Sequence, residues 1–444
     1  MWGPTLAVGL SLLISFWLLS LERANIPPHM SNHPVKVIKE LIPRQIAADL
    51  MNLMKEFGAK GGFTSNVDQS KAQGFKPRYE DIGEAEPIGS DGKCAHKFLF
   101  PNPDKTRCIL PQRVDIGRHF ILTGGVDGIK EGYSDLVDRV SSFGRYTFPE
   151  QLDDYPAVKA LFASPSFQKA ARSVCPEDKQ HLDAFQFNYI INVPGQTVAL
   201  HVDSVYFEGA DRFTHPQWLL AVMAFSGVFQ SLFIHQVQVV GYLHEWTASA
   251  DSVESVGGEF IWFDNSTSYQ RVSPEPRSGS VVDGSKVMHA STVYRPDVKA
   301  PHLDKSKDNA LRYLPANDSW IVQSDGETVK ELSTSDLRIS VVYRARCFRD
   351  AEHMEAYKDS ASKQTAVLSL DSVLDALVAE LVRRGGLPQG TTKDSMGRLQ
   401  LAFKLMDGFI TYPLPPLNFA LLPWNVCAAP LLLPVLAPLF APFC

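Results

Sequence analysis

The stretch LRISVVYR, residues 337–344, alternates in a way that only a strand can use. Side chains two apart share one face, so Leu337, Ile339, Val341 and Tyr343 make an apolar side. Arg338, Ser340, Val342 and Arg344 fall on the other, presenting a cation with a hydroxyl two residues on. Upstream lie further strand-prone runs: AFQFNYII (184–191), TVALHVD (197–203), QVQVVGYLHEW (236–246), GEFIWFD (258–264), SVVDG (280–284), KVMHASTV (286–293) and WIVQ (320–323). Short strands in this number, with helical patterns on either side, predict an α+β chain. Its core is expected to be a double-stranded β-helix, a jelly-roll barrel whose mouth can enclose a metal.

The chain contains three H-x-D tripeptides, so the motif alone decides nothing: His181/Asp183, His201/Asp203 and His302/Asp304. His302 sits in the polar run APHLDKSKDNA, and the next histidine, His353, lies in the helix-like AEHMEAYKD. His181 precedes its strand, so Asp183 would fall before the inner face. His201 follows VPGQTVAL, where a Pro-Gly turn leads into a short strand ending at the pair. Downstream histidines are His215, His235, His244, His289 and His302. His289, in GSVVDGSKVMHASTVY, has the setting of a closing hairpin and is the expected third member; His244 is the runner-up. Two imidazoles and a carboxylate on adjoining strands form a facial triad, the usual cradle for non-haem Fe(II) with positions open to an organic acid and O₂.

Taken together, H-x-D, a distal His and R-x-S resemble the 2-oxoglutarate/Fe(II)-dependent dioxygenases over about residues 180–348. In that superfamily a Gly-Gly-plus-strand signal, here Gly257-Gly258 before EFIWFD, precedes the distal ligand, which favours His289 over His244. The resemblance implies Fe(II) on His201, Asp203 and His289, with 2-oxoglutarate held at its far carboxylate by Arg338 and Ser340. It also implies a cosubstrate contact from Tyr189 or Asn188, although an aromatic strand residue packing the core is an equal reading of Tyr189. Arg344 and Arg346 share strand parity with Arg338 but read as a solvated edge. The cation in the family follows the distal His more closely than 49 residues, the spacing from 289 to 338. The segment between is read as an insertion containing a hairpin at Asp325-Gly326, and Lys299 is the fallback anchor. The implied reaction is hydroxylation of a peptide, lipid or small molecule, releasing succinate and CO₂, with ascorbate as a supporting reductant. Because Asp203 is a carboxylate, no coordination position is freed for halide. The prolyl-hydroxylase branch is suggested by analogy only. The alternative reading is a membrane-tethered metal-binding barrel with another oxidase chemistry, or a degenerate barrel without catalysis.

At 444 residues, with 45% hydrophobic and 21% charged residues, the chain can bury a large core. A net charge of −6 leaves no basic footprint for nucleic acid. No phosphate-cradling glycine motif occurs. Residues 2–21, WGPTLAVGLSLLISFWLLSL, carry no charge, and a retained signal anchor over 1–22 is expected, ahead of a cleaved signal peptide or a buried helix. The domain reading continues with a helical and irregular region over 23–180 and the dioxygenase barrel over 181–350. C-terminal helices and an apolar tail over 351–444 complete it, with Pro430, Pro434, Pro438 and Pro442 spaced too closely for a straight helix.

Six cysteines include no C-x-x-C, and Cys94 and Cys108 flank a loop that a disulfide could close. The sequons at Asn265 and Asn317 fit lumenal exposure, in the endoplasmic reticulum or another endomembrane compartment. Arg23, Lys36, Lys39 and Arg44 follow the apolar segment and point the other way, toward a cytosolic body. The two indications oppose each other, and oligomeric state is not legible.

Overall fold

The computed structural model describes residues 26–65, 86–90, 100–101, 106–109, 138–212, 214–246, 256–265, 269–304, 307–362 and 368–411. The expected anchor over 1–22, Cys94 and the proline-spaced tail lie outside the described residues. Among the described residues no helix is long and apolar enough to cross a membrane.

Strands that matter to the site are β1 (Val35–Ile38), β2 (Phe63–Ser65), β3 (Phe143–Thr147), β4 (His181–Asn192), β5 (Gln236–Tyr242), β6 (Phe260–Phe263) and β7 (Tyr269–Val272). They continue with β8 (Gly279–Val282), β9 (His289–Ser291), β10 (Asn309–Leu314), β11 (Ser319–Ser324), β12 (Glu327–Ser333) and β13 (Arg338–Phe348). A ten-stranded sheet runs β1-β8-β5-β13-β4-β3-β2-β10-β11-β12, and a three-stranded sheet runs β7-β6-β9. All the pairings are antiparallel. This mixed α/β chain with a large antiparallel sheet is consistent with the jelly roll expected from sequence.

The strand LRISVVYR behaves as its alternation requires. Arg338 pairs with Asn192, Ser340 with Ile190, Val342 with Asn188 and Arg344 with Gln186 on β4. On the reverse face Ile339, Val341 and Tyr343 join Phe187, Tyr189 and Ile191 in one buried apolar cluster. Helices cover that face: α1 (Arg44–Lys60), α2 (Pro156–Ala163) and α3 (Pro165–Arg172). Tyr343 meets Phe162 of α2 and Phe167 of α3 edge-on, with ring centres 4.8 and 5.2 Å apart. A disulfide between Cys175, just past α3, and Cys347 of β13 fastens the helical layer to the strand. The smaller sheet packs against a second apolar layer that includes α4 (Gln217–Ser226), whose residues from Trp218 to Ser226 are all buried, so its all-round apolar sequence is matched by its setting.

Three local readings change. Within the region read as helical and irregular, β-branched Val35, Val37 and Ile38 pair with β8 as an edge strand, and the helix begins only after Pro43. TVALHVD reduces to a single bridge at His201, opposite His289. The strands β1, β2 and β3, from the region read as helical and irregular, extend the main sheet. The hairpin at Asp325-Gly326 is as expected: both residues have positive φ (48° and 84°), which a two-residue turn of this kind needs.

Candidate metal centre and its anion pocket

His201 and His289 exchange both backbone hydrogen bonds, N–H to O at 3.0 Å in each direction. A pair so bonded projects its side chains to the same side, and the two rings lie 4.3 Å apart. Asp203 follows two residues later, its N–H held by the Gly284 carbonyl at 2.8 Å. The three side chains bring one ligand atom each within 4.8 Å of one another, and all three residues are buried. Gly284 makes room for this: a Cβ there would stand 2.9 Å from the Asp203 carboxyl carbon and would overlap its Oδ2. Any side chain at 284 would push the carboxylate out of place.

The ring orientations are fixed from behind. His201 Nδ1 lies 2.6 Å from the Ala199 carbonyl, and His289 Nδ1 lies 2.8 Å from the Val287 carbonyl. A ring nitrogen facing a carbonyl carries a proton, so Nε2 is the nitrogen that each ring turns to the centre, and that of His289 lies 3.1 Å from the Gln238 amide nitrogen. Asp203 Oδ1 faces that of His201 across 3.6 Å, too far for a hydrogen bond. Two ring nitrogens and a carboxylate oxygen thus converge, a donor set that suits a cation. Burial, with the neighbouring His201, pushes the His289 pKa down to about 4, so this ring is neutral near pH 7. Burial works against ionisation of Asp203, but the Arg344 guanidinium beside it outweighs that and holds the carboxyl well below its usual range.

Six residues before Arg344 on β13, Arg338 is 3% exposed and has no carboxylate partner among the described residues. Its Nε donates to the Gly258 carbonyl at 2.8 Å and its NH1 to Asn192 Oδ1 at 3.1 Å. Its guanidinium lies 5.2 Å from the centre of the Tyr242 ring. Gly258 has φ +71°, and a Cβ there would come within 2.9 Å of Arg338 Cδ and 3.4 Å of the Tyr294 ring. Burial lowers the Arg338 pKa, yet a guanidinium remains cationic in any protein setting. Around it the Asn192 amide nitrogen and the Tyr294 hydroxyl are buried donors without a hydrogen-bond partner. A buried charge without its counter-charge costs several kcal/mol, and an anion beside these donors would offset that cost. Phe260, two residues from Gly258, places its ring 5.6 Å from that of His289.

Several expectations are revised. Tyr189 is not on this face: its hydroxyl donates to the Leu50 carbonyl of α1 at 2.9 Å, on the helix-covered side. The inward neighbour is Asn188, which accepts from the Gln186 amide at 3.0 Å. Ser340 is inward and buried, but its proton is committed to the Ile190 carbonyl at 2.9 Å, so it braces β4 rather than donating into the pocket. Arg344 and Arg346 are no solvated edge. Arg344 pairs with Asp203, and Arg346 pairs with Asp183 while lying over Phe185, Tyr206 and Tyr357. Lys299 is exposed in its loop. His244 is no ligand: its ring is wedged between the Pro274 carbonyl (2.6 Å from Nε2) and the Ile339 N–H (3.2 Å from Nδ1). The rejected pairs have structural work, Asp183 with Arg346 and Lys358, and His302 with Asp138. Arg344, Asn192 and Gln238 were missed; parity with Arg338 was the signal available for Arg344.

No protein-family model matches the chain, and no curated protein matches it. Solved structures do. A Pseudomonas putida prolyl-4-hydroxylase is 10% identical over 71% of this chain and 93% of its own, with a TM-score of 0.28. A prolyl hydroxylase from Trichoplax adhaerens, in complex with a hypoxia inducible factor oxygen degradation domain peptide fragment, is 7% identical over 73% and 87%, at 0.32. An oxidoreductase of the 2OG-Fe(II) oxygenase family from Burkholderia pseudomallei is 10% identical over 47% and 69%, at 0.26. These neighbours are 2OG-Fe(II) oxygenases.

Proposed function

We propose that the chain is a 2-oxoglutarate- and Fe(II)-dependent dioxygenase that hydroxylates a C–H bond of its substrate. The observation that carries this reading is the pairing of two complementary features: a His-Asp-His triad whose ligand atoms converge, and a buried arginine with no carboxylate partner among the described residues. One metal and one dicarboxylate satisfy both.

His201, Asp203 and His289 would hold Fe(II) through two Nε2 atoms and a carboxylate oxygen, a donor set that suits this ion and leaves positions open. When bound, Fe(II) with 2-oxoglutarate and O₂ supplies the oxidation: 2-oxoglutarate, O₂ and R–H become succinate, CO₂ and R–OH. The chain's own part is placement. Ala199 and Val287 carbonyls keep both imidazoles in the ligating tautomer, a role that backing groups commonly fill at metal sites. Arg344 keeps Asp203 ionised and oriented. Arg338, Asn192 and Tyr294 receive the far carboxylate, and Ser340 braces the strand pair behind it. Phe260 and the buried walls exclude water from the space between.

The compartment we propose is an oxidising one, such as the endoplasmic reticulum lumen. Support comes from the Cys175–Cys347 disulfide, from Cys108, which is also disulfide-bonded, and from the exposure of both sequon asparagines, Asn265 and Asn317. Loss of mass on glycosidase treatment of the secretory-pathway protein tests it; unmodified Asn265 and Asn317 together with reduced Cys175 and Cys347 would place the barrel elsewhere. The function itself is tested by incubating purified protein with Fe(II), 2-oxoglutarate, O₂ and ascorbate and following succinate. Succinate above the level of a metal-stripped control supports it, and none with the metal bound defeats it.

A further inference from the structure

Gln238 of β5 stands directly opposite Arg344 of β13. Both send donors to the triad: Arg344 to Asp203, and the Gln238 amide nitrogen to His289 Nε2 at 3.1 Å. Val287 holds the His289 proton on Nδ1, so Nε2 is a lone pair and only a donor can face it. The Gln238 oxygen is therefore turned away, and it is buried without a hydrogen-bond partner, on a residue 5% exposed. A side chain chosen for packing alone would not leave such an atom; a leucine fits an apolar wall at no such cost.

We propose that Gln238 is a positioning residue for the oxygen ligand that the metal takes beside His289. The proposal rests on the Fe(II)/2-oxoglutarate reading. His289 Nε2 is the atom a metal uses, so a metal there removes the acceptor that Gln238 now has. The amide N–H is then left aimed at the coordination sphere, in a buried space, next to whatever oxygen binds there. An amide donor suits a carboxylate or carbonyl oxygen, the groups at the keto-acid end of 2-oxoglutarate. In the metal-free protein the same N–H competes with the metal for the lone pair. Removing it is thus expected to weaken cosubstrate binding without weakening metal binding, a separation that a general packing role would not give.

The experiment is an anaerobic titration of the full-length Fe(II)-loaded protein with 2-oxoglutarate, reading the visible charge-transfer band of the keto-acid chelate. Fe(II) affinity is measured separately by competition with a chromophoric chelator. In Gln238→Leu the 2-oxoglutarate dissociation constant is expected to rise about tenfold, the strength of one hydrogen bond to a charged oxygen, with a shifted band. Fe(II) affinity should stay level or tighten. Gln238→Glu, which puts an acceptor where the donor was, should weaken 2-oxoglutarate further while keeping side-chain size. Wild-type affinity with an unshifted band in Gln238→Leu overturns the proposal. So does an equal loss of metal and cosubstrate affinity in both variants, which marks a structural role. A wild-type protein that binds Fe(II) but gives no band with 2-oxoglutarate overturns the functional reading itself, and this inference with it.

Discussion

The two faces of the β4–β13 strand pair are made from alternate residues of the same segments and have opposite characters. Inward lie Gln186, Asn188 and Asn192 opposite Arg344, Val342 and Arg338. Outward lie Phe187, Tyr189 and Ile191 opposite Tyr343, Val341 and Ile339. On the outer face rings meet rings, helices cover the strands and the Tyr189 hydroxyl has its carbonyl, although the buried Tyr343 hydroxyl has no hydrogen-bond partner. On the inner face the polar set is equally buried but incomplete, with a cation lacking a carboxylate and amide groups with open valences. A face that is buried, polar and unfinished stores stability that only a ligand can release. Substitutions inside should therefore alter binding far more than folding, and substitutions outside the reverse.

The largest effect is expected at the triad. Asp203→Ala removes the only anionic ligand and leaves Arg344 facing two imidazoles, so metal loading and succinate formation should both be lost while the circular dichroism spectrum is kept. Substantial turnover by a well-folded Asp203→Ala protein would end the assignment of the triad.

Next comes Arg338→Ala. A charge-assisted bond to a carboxylate is worth roughly 1.5–3 kcal/mol, so the apparent 2-oxoglutarate requirement should rise about ten- to a hundredfold, with Fe(II) affinity little changed. Arg338→Lys keeps charge without the planar fork and should fall between. Because the substitution removes an unpaired buried charge, thermal stability of the ligand-free protein should hold or rise. A marked loss of stability with an unaltered cosubstrate requirement would make Arg338 a structural residue and dissolve the contrast between the faces.

The outer face is probed by the disulfide. Replacing both Cys175 and Cys347 with serine opens a link between residues 172 positions apart in sequence and should cost roughly 2–5 kcal/mol of stability. In thermal melts that loss should be plain, whereas 2-oxoglutarate affinity of the folded protein should stay within about twofold, a shift below 0.5 kcal/mol. A cosubstrate affinity that collapses with the disulfide would mean that β13 cannot hold Arg338 without it.

What was legible in the sequence follows the same division. The alternation of LRISVVYR marked a strand and its faces, and a turn signal located the Asp325-Gly326 hairpin, because period and local φ are written in neighbouring residues. The triad was legible because its members bracket recognisable strand signals. Arg344 was misread because strand parity gives a face but not the position along the barrel, so an arginine near the strand end looked solvated. Gln238 and Asn192 carry no local signal, since what makes them notable is an empty valence created by tertiary packing. The Cys175–Cys347 pair joins distant segments, which spacing does not reveal.

The smallest expected effect is also the sharpest test of the two faces, because it sits on adjacent residues. Tyr189 and Asn188 are neighbours in chain yet point to opposite sides of β4, and a one-residue slip would exchange their roles. Tyr189→Phe deletes one buried hydroxyl and leaves the Leu50 carbonyl without that donor, a loss of about 1–3 kcal/mol. Since Leu50 lies within α1, the change should lower the melting temperature by a few degrees and leave the 2-oxoglutarate titration untouched. Asn188→Leu should do the opposite: it removes the acceptor of the Gln186 amide on the inner face, disturbing the polar lining with little change in the outer packing. If Tyr189→Phe shifted the cosubstrate requirement while Asn188→Leu did not, the tyrosine would be reaching the pocket in solution and the register of β4 against β13 would have to differ by one residue.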